Sequence, residues 1–348
     1  MLDEQNRSEP GNTPLFAREL KKRSPWKIKM HRLKALGLLL VSVALVPATA
    51  AAAWPEKSIR VIIPWPPGGS TDIVGRLLAA ELTPRLKQQV IIDNRAGAGS
   101  IVGLQIATAA PPDGYTFMMT STAYGFLIDK PKVPVDLVNS FAPVAMIGFG
   151  DSALVVHPSL PVRTVKDLVA LAKKRPGELF YASSGIGGFP HMNTELFKLK
   201  AGVNLVHVPF KGGGPAVADL VAGHSQLQIG SLVTVMPHVQ SGRIRLIATG
   251  GAKRNPKLPD VPTIAETVPG YESSIWWGIF APPRTPADII ARFHAETMEV
   301  LSLPGFQKKL EEQGAAVVKI SSAEFGKLMM SEQTKWLEVI KAAGIKGE

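Results

Sequence analysis

The stretch that most limits what this chain can fold into is Pro64-Trp65-Pro66-Pro67-Gly68-Gly69-Ser70-Thr71-Asp72. An apolar run, Ile59 to Ile63, enters it, and an amphipathic pattern beginning near Asp72 leaves it. That order predicts a buried strand running through a proline-stiffened loop into a helix N-terminus. Helix N-termini carry unpaired N–H groups and the positive end of the helix dipole, so they favour anions. Gly68 and Gly69 lack the Cβ atoms that would hold a ligand off the backbone, and Ser70 or Thr71 can cap the helix. The loop has neither the Gly-Lys-Ser/Thr ending of a nucleotide-binding P-loop nor a Gly-x-Gly-x-x-Gly fingerprint. Taken alone it reads equally as an ordinary strand-to-helix turn.

The same strand, glycine loop and helix setting recurs. Val90–Ile92 leads into Asp93-Asn94-Arg95-Ala96-Gly97-Ala98-Gly99-Ser100. Leu179–Ser184 leads into Gly185-Ile186-Gly187-Gly188-Phe189-Pro190-His191, and Val203–Val208 into Lys211-Gly212-Gly213-Gly214-Pro215. Further strands are expected at Tyr115–Thr120, Ala153–Val156, Leu227–Ile229, Ile244–Thr249 and Ile275–Ala281. Helices are expected after Asp72, with Pro84 ending or kinking the first, after a Thr164/Asp167 capping box, around Met236, and from Ser321-x-x-Glu324 to about Ala343. Short strands alternating with helices argue for an α/β protein with parallel or mixed sheets flanked by helices. In open α/β sheets ligands sit outside the carboxyl ends of strands, where each of these glycine loops lies.

At 348 residues the chain is long enough for two domains with sizeable cores, and it has no cysteine, which excludes disulfides and thiolate chemistry. Lys21-Lys22-Arg23, Lys27, Lys29, Arg32 and Lys34 precede the apolar run Ala35–Val46, and Pro47–Ala53 is rich in small residues. This is the order of a secretory signal peptide, too short in its apolar part for a membrane anchor. The expectation is a Sec-exported, soluble periplasmic protein cut near Ala53 and starting near Trp54, with Met30 a more typical start than Met1. Residues 1–53 hold nine Lys/Arg against four Asp/Glu, so they carry +5 of the formal +11 and leave +6 on the mature chain. A modest positive field helps steer anions, and no basic cluster with interleaved aromatics suggests nucleic acid. His157, His207, His224, His238 and His294 lack metal-ligand spacing, and no cofactor motif is present.

With these residues in view, the chain resembles the substrate-binding proteins of tripartite tricarboxylate transporters, the Bug family of periplasmic solute receptors. The marks are WPEKSIRVIIPWPPGGSTD, DNRAGAGS, PPDGYTF, LVVHPSLP, YASSGIGGFPHMNTELF, VHVPFKGGGPAVADLVAG, LPDVPTIAE with PGY, and WWGIFAPPRTP, in order over nearly all of Trp54 to Ile345. The resemblance implies a two-domain periplasmic binding protein of the type II, Venus-flytrap kind. Each domain would be a mixed sheet flanked by helices: 54–153 plus 275–348 as domain 1, and 154–274 as domain 2. Crossover strands near Leu154 and Trp277 would form the hinge. It also implies a monomer that captures a small carboxylate and delivers it to membrane permease subunits.

By position, the domain 1 wall of the site would be Pro66, Gly68, Gly69, Ser70, Thr71 and Asp72, with Ser121 and Thr122 nearby. The domain 2 wall would be Ser183, Ser184, Gly185, Gly187 and His191, with Lys211 and Gly212. Asp72 suits capping, water orientation or an i, i+4 pair with Arg76 better than anion contact. His191 is open between a donor to the ligand and a helix-cap histidine held by backbone, and Lys211 between a site charge and a solvated loop lysine. Of Trp276 and Trp277, alternation sends one away from any ligand. The chain departs from the family pattern at Gln226 and Gly230, where acidic residues are usual, and over Leu127–Ser140. Two other readings are a receptor that presents its ligand to a membrane sensor and an exported α/β hydrolase. The hydrolase finds no Gly-x-Ser-x-Gly elbow around Ser184.

Overall fold

The structure, a computed structural model, describes residues 54–122 and 140–343. The export signal read in residues 1–53 and nearly all of the altered Leu127–Ser140 segment lie outside them.

The strand expected from the apolar run is β1 (Ile59–Ile63), and the loop after it opens α1 (Ser70–Leu86). There follow β2 (Val90–Asn94), a 3-10 turn at Ala98–Ser100, α2 (Ile101–Thr108) and β3 (Thr116–Ser121). A 15-residue strand, β4 (Ala142–Val156), begins the next part. After it come α3 (Val165–Lys174), β5 (Phe180–Ser183), α4 (Phe189–Ala201), β6 (Val206–Pro209) and α5 (Gly213–Ala222). Next are β7 (Leu227–Ser231), α6 (Leu232–Gln240), β8 (Arg245–Thr249) and β9 (Ser274–Ala281). The chain closes with α7 (Ala287–Ser302), α8 (Pro304–Glu312), β10 (Ala315–Val317) and α9 (Ser322–Ala343).

The strands form two halves of one mixed sheet, joined through β4. In the first half β1 lies between β2 and β3, parallel to both, and β9 pairs antiparallel with β3. In the second half β5 lies between β6 and β7, again parallel to both. Residues 142–151 of β4 pair with β9, while Ser152–Val156 pair with β7 and β8, so one strand serves both halves. A second tie lies beside it: Ser273 N–H donates to Gly250 O at 2.8 Å, and Gly250 N–H to Ser152 O at 2.8 Å.

This topology decides where a ligand fits. Connections leave β1 towards β2 on one side and follow to β3 on the other, and β5 stands in the same relation to β6 and β7. Each is a switch point, where diverging loops leave a crevice at the carboxyl end of the central strand. Glycine-bearing strand-to-helix loops follow both β1 and β5. The hydrophobic core continues across both halves, from Ile59, Phe117 and Trp277 to Leu154, Tyr181 and Phe197.

Two local expectations are corrected. Pro84 does not itself end α1: the helix runs two residues further to Leu86 and stops at Lys87, which has φ 54°. Leu86 is buried, so packing holds the last turn in place of the hydrogen bond that Pro84 cannot donate. The strand expected at Ala153–Val156 is the end of the much longer β4, whose first part reads poorly because Gly148 and Gly150 interrupt its apolar pattern. Gly148 is required there: a Cβ would lie within bonding range of Ala316 O on the paired β10.

Candidate functional site

A cavity of about 60 Å³ lies where the two switch points face each other. The first half contributes Trp65, Pro66, Gly69, Ser70 and Thr71 from the β1–α1 corner, Ser121 at the end of β3, and Ile275 on β9. The second half contributes Ser184, Phe189, Pro190, Gly212 and Gly213, together with Gln228, Gly230, Ser231, Thr234 and Val235 from β7 and α6.

Among the described residues, no lining side chain carries a formal charge. Instead, four helices begin at the cavity: α1, α4, α5 and α6. Their N-cap residues are Gly69, Gly188, Gly212 and Ser231, and none makes a side-chain capping hydrogen bond. Elsewhere the chain shows what a closed helix end looks like. Asp167 N–H donates to Thr164 Oγ1 at 3.1 Å while Thr164 N–H donates to the Asp167 carboxylate at 3.0 Å, and Ser321 and Glu324 exchange the same pair of bonds. No N-cap side chain takes up the first-turn N–H groups of the cavity helices, although Pro190 in α4 and Pro215 in α5 have none to offer. Each N-terminus is equivalent to about half a positive charge, so four of them suit one anionic group without a cation.

The loops of the two halves touch. Gly212 has φ 115°, and an ideal Cβ there would lie 2.8 Å from Pro66 Cγ. A Cβ on Gly213 would lie 3.5 Å from Gly69 Cα, and one on Gly214 would lie 3.6 Å from Pro67 O. At Gly212 the approach leaves no room for a side chain, while a methyl group at 213 or 214 would make ordinary contact. Beside it lies a larger cleft of about 800 Å³, sharing Trp65, Pro66, Ser184 and Gly212. Residues 96–101, Gly185, Phe210 and Lys211 line the rest of it.

Of the residues expected at the site, Pro66, Gly69, Ser70, Thr71, Ser121, Ser184 and Gly212 line the small cavity. Gly185 and Lys211 line only the larger cleft, and Lys211 is exposed there, as a solvated loop lysine would be. The other six line neither space: five are buried, and Gly68 is exposed on its loop. Asp72 is buried; its carboxylate accepts from Gly68 N–H at 3.0 Å and from Arg76 Nε at 3.1 Å, so it holds the loop turn and makes the i, i+4 pair with Arg76. Gly68 N–H is taken by that contact. Thr122 Oγ1 accepts from Trp276 N–H at 2.9 Å. Ser183 Oγ lies 2.5 Å from His207 Nε2 and accepts from Gly185 N–H at 3.1 Å.

His191 is the helix-cap histidine of the two alternatives: its Nδ1 accepts from Gly187 N–H at 3.1 Å. Its ring stacks on His207 at 4.2 Å, and His207 stacks on Tyr181 at 4.9 Å. Burial pulls the His191 pKa below its usual value, and burial together with the neighbouring His191 pulls His207 down to about 4. Both rings are therefore neutral at neutral pH and brace the loop from below. Trp276 and Trp277 are both buried away from the cavity. Trp277 donates to Ser70 Oγ at 3.3 Å, and Trp276 packs edge-on against Phe325 at 5.5 Å.

The lining residues not foreseen are Trp65, Phe189, Pro190, Gly213, Gln228, Ser231, Thr234, Val235 and Ile275. Gln228 carried a readable signal, being a polar residue inside an apolar strand and level with Gly230 on one face. Of the two departures noted at this strand, Gly230 lines the cavity. Gln226 does not: its Oε1 accepts from Phe180 N–H at 2.7 Å at the far end of β7.

Residues 74–345 match the model of the tripartite tricarboxylate transporter family receptor. The chain belongs to this family. Among its relatives is the protein BugT of Bordetella pertussis, 32% identical over 92% of this chain and 99% of that one. Among solved structures, an R. palustris protein with adipate is 36% identical, covers 84% of this chain and 99% of its own, and has a TM-score of 0.81. MatC from Rhodopseudomonas palustris with bound malate is 28% identical, covers 82% of this chain and 100% of its own, and has a TM-score of 0.78. The fold is accordingly that of the two-domain periplasmic binding proteins. Among the described residues, no helix is long and apolar enough to cross a membrane.

Proposed function

We propose that this protein is a periplasmic receptor that captures a small carboxylate between two lobes and delivers it to the membrane subunits of a tripartite tricarboxylate-type permease. The observation that carries the reading is the meeting of four uncapped helix N-termini on one cavity without a charged side chain. Such a cavity holds an anion through backbone N–H groups and hydroxyls. A carboxylate fits its size, about two water volumes, and the adipate and malate bound by its structural relatives are of that class.

In this reading residues 54–153 and 275–348 form one lobe and 154–274 the other, with the chain crossing at β4 and again near Ser273. Two crossings make closure a hinge motion. Pro66, Gly69, Ser70, Thr71 and Ser121 face the ligand from the first lobe and Ser184 and Gly212 from the second, while Asp72, Gly68, Ser183, Gly187 and His191 shape the loops behind them. Residues 1–53 would serve export and be removed, and the mature protein would act as a monomer. Among the described residues no histidine or carboxylate is hydrogen-bonded to a cavity hydroxyl to activate attack, which favours a receptor that returns its ligand unchanged over a hydrolase.

The test is a thermal-shift screen of the purified protein against mono-, di- and tricarboxylates, hydroxy acids, acidic amino acids and aromatic acids. A ligand specific for the folded state adds about 2.7 kcal/mol at 100 times its Kd, enough to raise the melting point by several degrees. An acid that shifts the midpoint and is recovered chemically intact is the expected result. No shift with any class, or conversion of the acid, would overturn the proposal.

A further inference from the structure

Three buried polar atoms at the small cavity have no partner in the protein: Gln228 Oε1, Ser231 Oγ and Trp65 Nε1. Gln228 is 1% exposed and Ser231 5%. A buried polar group without a partner costs about 1–3 kcal/mol, so three around one space ask for a ligand group that answers them. Ser231 is also the N-cap of α6, yet its hydroxyl is not spent on the helix.

Gln228 and Gly230 belong together. They lie two residues apart on β7 and share a face, and an ideal Cβ on Gly230 would sit 3.2 Å from Gln228 Cδ. The absence of a side chain at 230 leaves the amide the room to lie against the strand at the cavity. An acidic residue at 230 would displace it and would put a negative charge beside an anion.

We infer that the Gln228–Gly230–Ser231 corner, with Trp65 Nε1, is a neutral subsite that selects acids carrying a hydroxyl group; the inference rests on the carboxylate reading of the same cavity. The choice of a hydroxyl follows from the donors and acceptors. Trp65 Nε1 only donates, Gln228 Oε1 only accepts, and Ser231 Oγ does either. A hydroxyl accepts from the first and donates to the second at once. A second carboxylate only accepts, and it would have to turn the Gln228 amide over to meet Nε2 in place of Oε1. An unsubstituted alkyl chain would leave all three atoms unanswered. The subsite therefore rejects an acid lacking the hydroxyl more sharply than it prefers any chain length.

The experiment is calorimetric titration of the purified protein with matched pairs: glycolate and acetate, lactate and propionate, 3-hydroxybutyrate and butyrate, malate and succinate. The expected result is a hydroxy acid bound at least about tenfold tighter than its partner, the ratio that one unanswered buried group produces. In Gln228→Leu, nearly isosteric, the ratio falls to near one, and Ser231→Ala lowers it part of the way. Binding of both members of every pair with equal affinity would overturn the inference and leave the carboxylate reading standing. So would an unchanged ratio in both variants. No binding by any of the eight acids would overturn the inference, and the carboxylate reading would then stand or fall with the wider thermal-shift screen.

Discussion

If the cleft closes by bringing the β1–α1 and β6–α5 loops together, Gly212→Ala should weaken binding by an amount the structure sets. The ideal Cβ lies 2.8 Å from Pro66 Cγ and 2.9 Å from Pro66 Cβ, both on the rigid pyrrolidine ring. Carbon atoms pack best at about 3.5–4.0 Å, so the methyl overlaps the ring by about 0.7 Å when the loops meet. Overpacking of this kind costs about 1–3 kcal/mol, which raises Kd about 5- to 150-fold at 1.4 kcal/mol per factor of ten. A second cost is separate. Gly212 has φ 115° and ψ 169°, a region open almost only to glycine, and alanine there is strained by about 1–3 kcal/mol whether the cleft is open or closed. That part lowers the melting point without ligand and cancels in Kd.

Gly202→Ala separates the two effects, because Gly202 has φ 62° and nothing lies within 4 Å of its Cβ. The assay is calorimetric titration with the acid giving the largest thermal shift, alongside melting of each variant without ligand. Both variants should melt lower, and only Gly212→Ala should bind more weakly. Wild-type affinity in a Gly212→Ala protein whose melting point has fallen would refute the reasoning, since the loops would not then meet in the bound state.

Gly69→Val should abolish binding while sparing the fold: Gly69 has φ −80° and ψ 166°, open to valine, and its Cβ would meet only Pro66 O at 3.9 Å. Retained affinity by titration would remove the β1–α1 loop from the site. Asp72→Ala frees the exposed Gly68 N–H and leaves Arg76 its bond to Asn94 alone, so it should destabilise by about 0.5–1.5 kcal/mol and weaken binding together, read by urea melts and titration; a loss of binding alone would mean that Asp72 touches the ligand. The His191–His207 stack predicts a pH effect. Both histidines titrate below their unfolded value of about 6.5, so the stability they contribute is complete above that pH and is lost as pH falls towards the folded value of about 4 for His207. The unfolded chain takes up their protons first; Glu195 opposes the shift and Lys198 adds to it. Melting points should drop between pH 6.5 and 4.5, and less steeply in His207→Asn; equal slopes would exclude the pair as the cause.

The parts of the fold legible in advance are those where local pattern and tertiary role coincide. β1 and β5 read as buried strands because both of their faces are covered, and the helices after them read as helices because glycine and proline mark where they begin. The long β4 was legible only over its last four residues, since the part that ties the two halves together carries glycines set by β10 and Trp277 rather than by strand propensity. Pro84 misled for a related reason: a local rule about helix ends gave way to the burial of Leu86.

The site divides along the same line. Loop residues at the switch points were legible because backbone chemistry is written in glycines. Which neighbouring side chains face the ligand was not, because that depends on how one half of the sheet meets the other. Ser183 and Ser184 are adjacent, and only Ser184 faces the cavity; Ser183 is turned to His207 by strand alternation. Trp65 sits inside the most conspicuous motif, yet its ring matters only because β7 brings Gln228 and Ser231 to the same space. In the proposed site the loops after β1 and β5 supply the general part of recognition, an anion held by backbone, and the part that distinguishes one acid from another falls to β7 and α6. Two departures from the family pattern lie within five residues there, and of these Gly230 lines the cavity. Selectivity can then change through positions 228 and 230 while the glycine loops, and the closure they permit, stay as they are.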